Sequence, residues 1–354
     1  MSSRQGLFPR EGVYIDPIAS IIKKTILHPI FALCTLVYIK LNESQRPQFQ
    51  TPVLYGAIAS LLLWINEFIS RNSANNWTSD ATYDWKKEIV VVTGRSSGIG
   101  ASVAQRPVAD SVRVVVLDVA PATSNFDDKL ITYYRCDLSD ESEIHRVSEQ
   151  IREEVGHPTV LVNNAGLSRG QTVAEASYHD ISITLRTNLL APFLLAREFL
   201  PNMIQRNHGH IFNIASMSAY LPPAGLADYS ASKAGLIAFH EAPGLELKLR
   251  HAAPKVRTSL AVLSFTKTPL FKGETNQSSF LFPLMHVETV SDAVVDTLYS
   301  GYGRTIFLPG IFRFFAGVRG APEWLQKFIL TGSKSLKVDF KGRQKIDPGT
   351  GKLI

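Results

Sequence analysis

A tyrosine and a lysine lie four residues apart in the segment YSASK, as Tyr229 and Lys233. That spacing places both side chains on one face of a helix. A phenol with a pKa near 10 transfers protons poorly at neutral pH, and a neighbouring ammonium lowers that pKa by stabilising the phenolate. Ser216 ends a predicted strand upstream, where its hydroxyl can hydrogen-bond a carbonyl or an alcohol. The pattern predicts acid–base catalysis, although a Tyr-x-x-x-Lys pair alone is also typical of a solvated helix face.

A glycine-rich turn comes earlier, in VVTGRSSGIGASV, with glycines at Gly94, Gly98 and Gly100. The apolar run EIVVV before it predicts a buried strand, and IGASVAQ after it can begin a helix. Such a strand, turn and helix bring backbone N–H groups and the positive end of the helix dipole to one point. The turn therefore predicts a binding site for the pyrophosphate of a dinucleotide, against the alternative of a tight turn without a ligand.

Two carboxylates end the next two predicted strands, Asp118 after VRVVVL and Asp137 after LITYYRC. A carboxylate at Asp118 can accept both hydroxyls of an adenosine ribose and would repel a 2′-phosphate, which favours NAD over NADP. Arg95, inside the glycine-rich turn, can offset that repulsion, so NADP remains the less favoured cofactor. Asp137 can hold the adenine amino group or cap the following helix.

The elements that must position these residues alternate between strand and helix from residue 86 onward. This alternation predicts an α/β fold with a doubly wound parallel sheet covered by helices on both faces. Ligands of such sheets bind at the carboxyl ends of the strands. The predicted helices span residues 140–155, 177–206 and 228–250. The remaining predicted strands are TVLVNNAG, GHIFNIAS and VRTSLAVLS.

Four features in this order, TGRSSGIG, NNAG, Ser216 and YSASK, resemble the short-chain dehydrogenase/reductase family over residues 86–308. The resemblance implies one Rossmann-type domain of about seven parallel strands, assigned here to residues 86–310, and hydride transfer to or from a nicotinamide. It also implies that Tyr229 is the acid–base and that Lys233 binds the ribose and lowers the pKa of the tyrosine. Ser216 would orient the substrate, and Asn188 in RTNLLAP would hold a helix kink and a proton-relay water.

The same resemblance implies a set of cofactor contacts, with no metal site. Besides Tyr229 and Lys233, these are Gly94, Ser97, Gly98, Ile99 and Gly100 around the phosphates, Asp118 and Asp137 at the adenosine, Asn164, Ala165 and Gly166 along the cofactor, and Thr268 near the nicotinamide.

Three features depart from the family pattern. Leu263-Ser264 stands where the family usually has Pro-Gly, and Pro107 and Pro243 lie inside predicted helices. An interior proline removes a backbone donor and kinks a helix or costs it roughly 3 kcal/mol. These three departures leave a second function open: the protein would then be a weakly active or inactive relative that acts as a binding or scaffold protein at a lipid surface.

The first 85 residues carry two apolar runs, at residues 25–39 and 52–65, which predict a membrane anchor. Two buried helices of a soluble domain are the alternative, and Pro29 should bend the first helix. Together with the basic, aromatic residues 311–354, these runs resemble the retinol and 17β-hydroxysteroid dehydrogenases of membranes and lipid droplets. This resemblance implies a location at the endoplasmic reticulum or lipid droplets. The flanking cations place the catalytic domain on the cytoplasmic side; they are Arg4, Arg10, Lys23, Lys24, Arg71, Lys86 and Lys87, against Lys40 and Arg46 in the connecting loop.

Residues 311–354 form a basic tail with nine Lys or Arg against three acidic residues, which equals the net charge of +6 of the whole chain. Its aromatic residues favour a membrane surface over nucleic acid, and a C-terminal helix packed on the domain is the alternative. Residues 267–286 should form a lid over the substrate, and the apolar segment FLFPLM within them predicts a small lipophilic substrate, a retinoid, steroid or fatty alcohol. The assembly is left open, with a homodimer as one option.

Overall fold

A computed structural model describes residues 9–41, 50–94, 98–108, 111–120, 129–274, 278–332 and 337–339. Arg95 and Ser97 of the glycine-rich turn lie outside these ranges. Three helices come first: α1 (Ile15–Lys24), α2 (Pro29–Leu41) and α3 (Gln50–Ala74). The region that follows alternates between strands and helices, as the sequence predicts.

Within the described residues there are nine strands: β1 (Ile89–Thr93), β2 (Arg113–Asp118), β3 (Ile131–Arg135), β4 (Val160–Asn163), β5 (His210–Ser216), β6 (Arg257–Leu263), β7 (Lys272–Glu274), β8 (Thr305–Leu308) and β9 (Lys337–Asp339). The other helices are α4 (Gly98–Val108), α5 (Glu141–Glu154), α6 (Tyr178–Leu185), α7 (Ala191–Arg206), α8 (Ala227–Leu249), α9 (Val287–Tyr299), α10 (Phe312–Phe315) and α11 (Glu323–Thr331).

Seven parallel strands form the central sheet in the order β3-β2-β1-β4-β5-β6-β8. The central strands are buried on both faces, which explains their unbroken Val and Ile runs. The strand order reverses direction between β1 and β4, and such a reversal opens a crevice at the carboxyl ends of the strands. The predicted fold class is confirmed. β7 and β9 form a separate antiparallel pair that the sequence did not predict.

The long helix predicted over residues 177–206 contains a π-helical turn. Residues Arg186–Leu190 form this turn between α6 and α7, and Asn188 lies buried inside it. A π turn inserts one extra residue into a helix and commonly marks a functional position.

The two prolines affect their helices less than expected. α4 ends at Val108, directly after Pro107, so that proline falls in the last turn. α8 continues through the buried Pro243 to Leu249. Pro243 lies ten residues beyond Lys233, so the turn that carries Tyr229 and Lys233 is not interrupted.

The prediction that Pro29 bends a helix from within is wrong. The chain leaves helical conformation before Pro29, and the proline begins α2, where its missing N–H costs no hydrogen bond. α1 and α2 meet at an angle of 52° across this break. Among the described residues, 51–74 form one helix that is long and apolar enough to cross a membrane, and the bent pair of α1 and α2 would count as a second span.

A buried cluster of Asp80, Glu88 and His208 holds the segment after α3 against the amino-terminal edge of the sheet. His208, between α7 and β5, contacts Asp80 at 2.8 Å and Glu88 at 3.1 Å. Its hydrogen bonds to Glu88 and Asp80 outweigh burial and raise the pKa of His208 above 6.5.

Because the folded-state pKa of His208 is raised, the stabilisation by this cluster is complete below the unfolded pKa and is lost as the pH rises through the folded pKa. We therefore expect a His208→Gln variant to melt well below the parent protein at pH 6 and closer to it at pH 9. Thermal unfolding at both pH values measures this difference. The exposed His251, changed to Gln, is the matched control. A gap that widens with rising pH would contradict the assignment.

Candidate active site

A cavity of about 760 Å³ opens at the carboxyl ends of the strands, at the predicted crevice. It contains most of the residues that the sequence singles out. These are Gly94, Gly98, Ile99, Asp118, Asp137, Asn164, Ala165, Gly166, Ser216, Tyr229, Lys233 and Thr268. Gly100 and Asn188 lie behind this surface, and Ser97 is outside the described residues.

Gly94 and Gly100, on either side of the turn, lie too close to other atoms to carry side chains. Gly94 has φ +73°, and a Cβ there would lie 2.7 Å from Cα of Ala165. A Cβ on Gly100 would lie 2.1 Å from the Gly94 carbonyl oxygen. The absence of both side chains lets the turn reach the segment after β4 and leaves the first turn of α4, at Gly98 and Ile99, facing the cavity.

Thr93, which the sequence analysis missed, fixes the position of this segment. Its hydroxyl oxygen accepts hydrogen bonds from the backbone N–H groups of Asn164 and Ala165, each at 3.0 Å. The Asn164 amide in turn donates to the carbonyls of Thr93 at 2.9 Å and Gly94 at 2.8 Å. A polar residue at the end of an otherwise apolar strand was the available signal.

Asp118 and Asp137 line the cavity at the ends of their strands. Asp118 is buried, and its carboxylate accepts a hydrogen bond from the N–H of Ala120 at 3.0 Å. The Asp137 carboxylate accepts from the N–H of Ser139 at 2.8 Å and from its hydroxyl at 2.7 Å. Part of each carboxylate is therefore used to hold its own turn.

The cavity wall brings together Ser216, Tyr229 and Lys233. Burial raises the pKa of Tyr229 to about 12, and its hydrogen bond with Ser216 opposes that rise. The expected lowering of this pKa by Lys233 is therefore not seen, because desolvation dominates and the ammonium lies 5.7 Å from the ring centre. The Lys233 ammonium donates to the Ile214 carbonyl at 2.8 Å, and burial lowers the pKa of Lys233 to about 8. At neutral pH the phenol holds its proton and the lysine is mostly charged.

Asn188 acts through the backbone of its neighbours. Its side-chain oxygen accepts from the N–H of Leu167 at 2.8 Å, while its amide donates to the Leu167 carbonyl at 2.8 Å and to the Ser232 hydroxyl at 3.1 Å. It thereby ties the segment after β4 to α8. A Cβ on Gly166, which lies between them, would be 3.5 Å from this oxygen and 3.4 Å from the Lys233 nitrogen.

The loop after β6 approaches the start of α4. A Cβ on Gly98 would lie 3.0 Å from the methyl group of Thr268. Leu263 and Ser264, which replace the Pro-Gly of the family pattern, line the same cavity. The loop therefore reaches the cofactor side of the cavity without that dipeptide.

Much of the cavity wall is apolar. Most of this apolar part, which we call the outer wall, was not predicted. Phe282 belongs to the predicted lid, but the wall also includes side chains from segments far apart in sequence. They are Ile183, Leu221, Pro222, Pro223, Leu226, Phe312, Phe315, Ile329 and Leu330. The basic tail thus supplies part of the cavity wall through α10 and α11, where the sequence offered only its aromatic content.

The arrangement fits a nicotinamide dinucleotide. Along the sheet edge, one cavity joins the Asp118 carboxylate at the end of β2, the glycine-rich start of α4 after β1, and the group of Ser216, Tyr229 and Lys233 at the end of β5 and on α8. Side chains at Gly94 and Gly100 would collide with Ala165 and Asn164, so glycine at both positions lets these segments lie close together. This donor set suits a pyrophosphate, a ribose and a reacting alcohol or carbonyl.

Comparison with known proteins gives a consistent result. Residues 88–279 match the profile of the family described as short chain dehydrogenase. Dehydrogenase RED2 of Cochliobolus heterostrophus is 37% identical over 217 residues, which are 60% of this chain and 82% of that protein. Epidermal retinol dehydrogenase 2 of Mus musculus is 30% identical over 219 residues, 60% of this chain and 71% of that protein. A solved short-chain dehydrogenase from Streptomyces avermitilis superimposes with a TM-score of 0.51 at 25% identity, covering 60% of this chain and 83% of that one.

Proposed function

The chain belongs to the short-chain dehydrogenase/reductase family, and from that premise we propose that it is a membrane-associated oxidoreductase that transfers a hydride between NAD and a lipophilic alcohol or ketone. Its enzyme class is that of oxidoreductases acting on CH–OH groups with a nicotinamide cofactor. The observation that carries the proposal is the continuity of one cavity from the glycine-rich turn, past Tyr229, to an outer wall of apolar side chains.

The proposed chemistry divides between three side chains. Ser216 and Tyr229 share a hydrogen bond, so both hydroxyls can bind the oxygen of a substrate alcohol or carbonyl. Tyr229 would donate its proton to that oxygen during reduction and, as the phenolate, would take up the alcohol proton during oxidation. A nicotinamide held in the same cavity would supply or accept the hydride. Lys233 keeps a positive charge near the phenol, and that charge favours the phenolate at the moment when the proton has left. Asn188 holds the backbone beside this group in place.

The substrate class follows from the outer wall. Leu221, Leu226, Phe282 and Phe315 line the same cavity as Ser216 and Tyr229. A sugar or another polar metabolite would lose hydrogen bonds to water there, whereas a retinoid, steroid or fatty alcohol would bury apolar surface. We infer a lipophilic secondary or primary alcohol, or the matching carbonyl compound, as the substrate.

NAD is the proposed cofactor, and the support for it is that Asp118, the last residue of β2, lines the cavity. Its ionised carboxylate would accept hydrogen bonds from ribose hydroxyls and would repel the 2′-phosphate of NADP. Arg135, the register partner of Asp118 on β3, is an exposed cation next to this position. The preference therefore depends on whether Asp118 or the neighbouring cations dominate.

Replacing Asp118 by Ala should weaken NADH binding by about tenfold, because hydrogen bonds to a charged group contribute about 1.5–3 kcal/mol each. NADPH binding should change little, since the lost repulsion offsets the lost contacts. Fluorescence titration with both cofactors gives the two Kd values. Asp137→Ala is the matched control and should weaken both cofactors equally, because the adenine amino group is common to both. If the Asp118→Ala variant lost equal affinity for NADH and NADPH, a neighbouring cation rather than Asp118 would set the cofactor preference.

The membrane assignment rests on α1 to α3 and on the cations around them. In α3 the apolar side chains Leu54, Leu61 and Leu62 are about half exposed, so they are not buried against the domain. We propose attachment to the endoplasmic reticulum or lipid droplets with the catalytic domain in the cytoplasm, following the excess of cations on the flanks. A homodimer remains a prediction.

Two measurements test the proposed function on the purified full chain. NADH fluorescence titration should show saturable binding, and failure to bind at millimolar concentrations would exclude an enzyme and favour the scaffold function. A panel of retinol, steroid alcohols, fatty alcohols and the matching ketones or aldehydes, with both cofactors, should then give turnover with at least one apolar compound. Turnover only with small polar alcohols would contradict the substrate class.

A further inference from the structure

Helices α10 and α11 have one face in the cavity and the other in solvent. Phe312 and Phe315 of α10 and Ile329 and Leu330 of α11 line the cavity. The ring of Phe282, from the lid, lies 5.0 Å from that of Phe312, centre to centre. The inner faces of both helices thus belong to the site already described.

The outer faces carry three large aromatic side chains exposed to solvent. Phe314 is 81% exposed, Trp324 is 71% exposed and Phe328 is 75% exposed. Trp324 and Phe328 lie four residues apart and therefore on one side of α11. Aromatic side chains concentrated on a short segment in this way mark an interaction surface, and we call these three residues the aromatic patch.

The charges around the aromatic patch are mainly positive. Arg313 and Arg319 are exposed, and Lys327 pairs with Glu323 at 2.7 Å. Residues 311–354 together carry nine basic and three acidic side chains. Exposed aromatic rings next to Lys and Arg suit the boundary between the headgroups and acyl chains of an anionic lipid surface.

Two hydrogen bonds join the region around α10 to the apolar helices at the N-terminus. The Asp16 carboxylate accepts a hydrogen bond from the N–H of Gly310 at 2.6 Å, just before α10, and the N–H of Ile15 donates to the Phe280 carbonyl at 3.0 Å. These residues begin α1, in which Ile21 is 62% exposed. The exposed apolar side chains of α1 and the aromatic patch are therefore linked through the lid and the start of α10.

We propose that α10 and α11 form a lipid-docking wall. Phe314, Trp324 and Phe328 enter an anionic lipid surface, and the lipophilic substrate passes from that lipid into the cavity beside α10, α11 and Phe282. The same two helices thus contact lipid with one face and substrate with the other. The substrate part of this proposal rests on the proposed function, whereas the lipid contact does not.

The lipid contact can be measured without turnover. Because Cys34 is exposed and Cys136 is buried, a Cys34→Ser background allows single-site labelling. Phe328→Cys and, as matched control, Tyr178→Cys would each carry an environment-sensitive NBD fluorophore, since Tyr178 is also exposed, at 96%, but lies on α6. The full chain is reconstituted into vesicles of phosphatidylcholine with or without phosphatidylserine.

We expect the label at 328 to show blue-shifted emission and protection from iodide quenching in vesicles that contain phosphatidylserine, with a smaller effect in phosphatidylcholine alone. The label at 178 should remain exposed to water in both. Equal water exposure of the two labels would overturn the lipid assignment and leave a protein partner as the occupant of the aromatic patch.

Substrate entry is tested with the triple variant Phe314→Ser, Trp324→Ser and Phe328→Ser. Its KM for retinol dissolved in vesicles should rise by about tenfold, because its apolar contact with the lipid is lost, while its kcat and its Kd for NADH stay at the parent values. Tyr178→Ser is the control. An unchanged KM would refute entry through this wall. NADH titration tests the proposed function separately, because the aromatic patch lies outside the cofactor end of the cavity.

Discussion

A Tyr229→Phe variant should lose turnover by about 10³-fold, because acid–base catalysis by a positioned side chain contributes about 10²–10⁴-fold. The substitution removes one hydroxyl and keeps the ring of Tyr229, which is buried on α8. NADH binding should stay within a factor of about two of the parent, since the substitution keeps the ring and removes only the hydroxyl that transfers the proton. Steady-state kinetics with the best compound of the substrate panel, together with NADH titration, separate the two effects.

The matched control for this variant is Tyr178→Phe, the same chemical change at a tyrosine that is 96% exposed and outside the cavity. Its turnover should equal that of the parent. Turnover of Tyr229→Phe within tenfold of the parent would refute the role of the phenol as acid–base. In the parent, alcohol oxidation should accelerate as the pH rises, because burial raises the pKa of Tyr229 and only the deprotonated phenolate can accept the alcohol proton.

The fold and the inner half of the candidate site could be predicted because local patterns determine them. β1 consists of β-branched residues that are buried on both faces, and the glycines after it are required by backbone contacts with residues close by in the sheet. Tyr229 and Lys233 share a helix face through their spacing alone. The structure places these residues in one cavity, while their catalytic roles remain predictions.

The outer half of the site could not be predicted because it depends on contacts between distant segments. α10 and α11 follow the last strand of the sheet, and nothing in their own sequence indicates that Phe312 and Ile329 turn toward the cavity while Phe314 and Phe328 do not. The pKa of Tyr229 was misjudged for a related reason. Spacing reveals that an ammonium is near, whereas the extent of burial depends on the whole tertiary structure.

Nothing in the sequence indicated that Arg257 is buried, because it is a charged residue at the start of a predicted strand. Its side chain is almost fully buried. The guanidinium donates to the carbonyls of Asn75 at 3.0 Å, Thr78 at 2.8 Å and Pro254 at 3.1 Å. The side chain of Asn75 also binds Gly303, donating to its carbonyl at 3.0 Å and accepting from its N–H at 2.7 Å. Arg257 therefore fixes the end of α3 to the amino-terminal edge of the sheet.

Changing Arg257 to Leu should lower the free energy of unfolding by at least about 3 kcal/mol, because several buried carbonyls lose their donor and each costs about 1–3 kcal/mol. Thermal unfolding should show a clear fall in Tm. Limited trypsin digestion should cut faster at Lys86 and Lys87, because the segment between α3 and β1 loses its anchor on the sheet.

Arg250→Leu, at an exposed position after α8, is the matched control and should leave both the Tm and the cleavage rate near the parent values. The two readouts also separate local from global effects. Faster cleavage with NADH binding intact would indicate that only the connection between α3 and the sheet has loosened, whereas loss of both would indicate that Arg257 supports the sheet itself. A variant with the Tm and digestion pattern of the parent would show that these hydrogen bonds do not hold the apolar helices to the catalytic sheet.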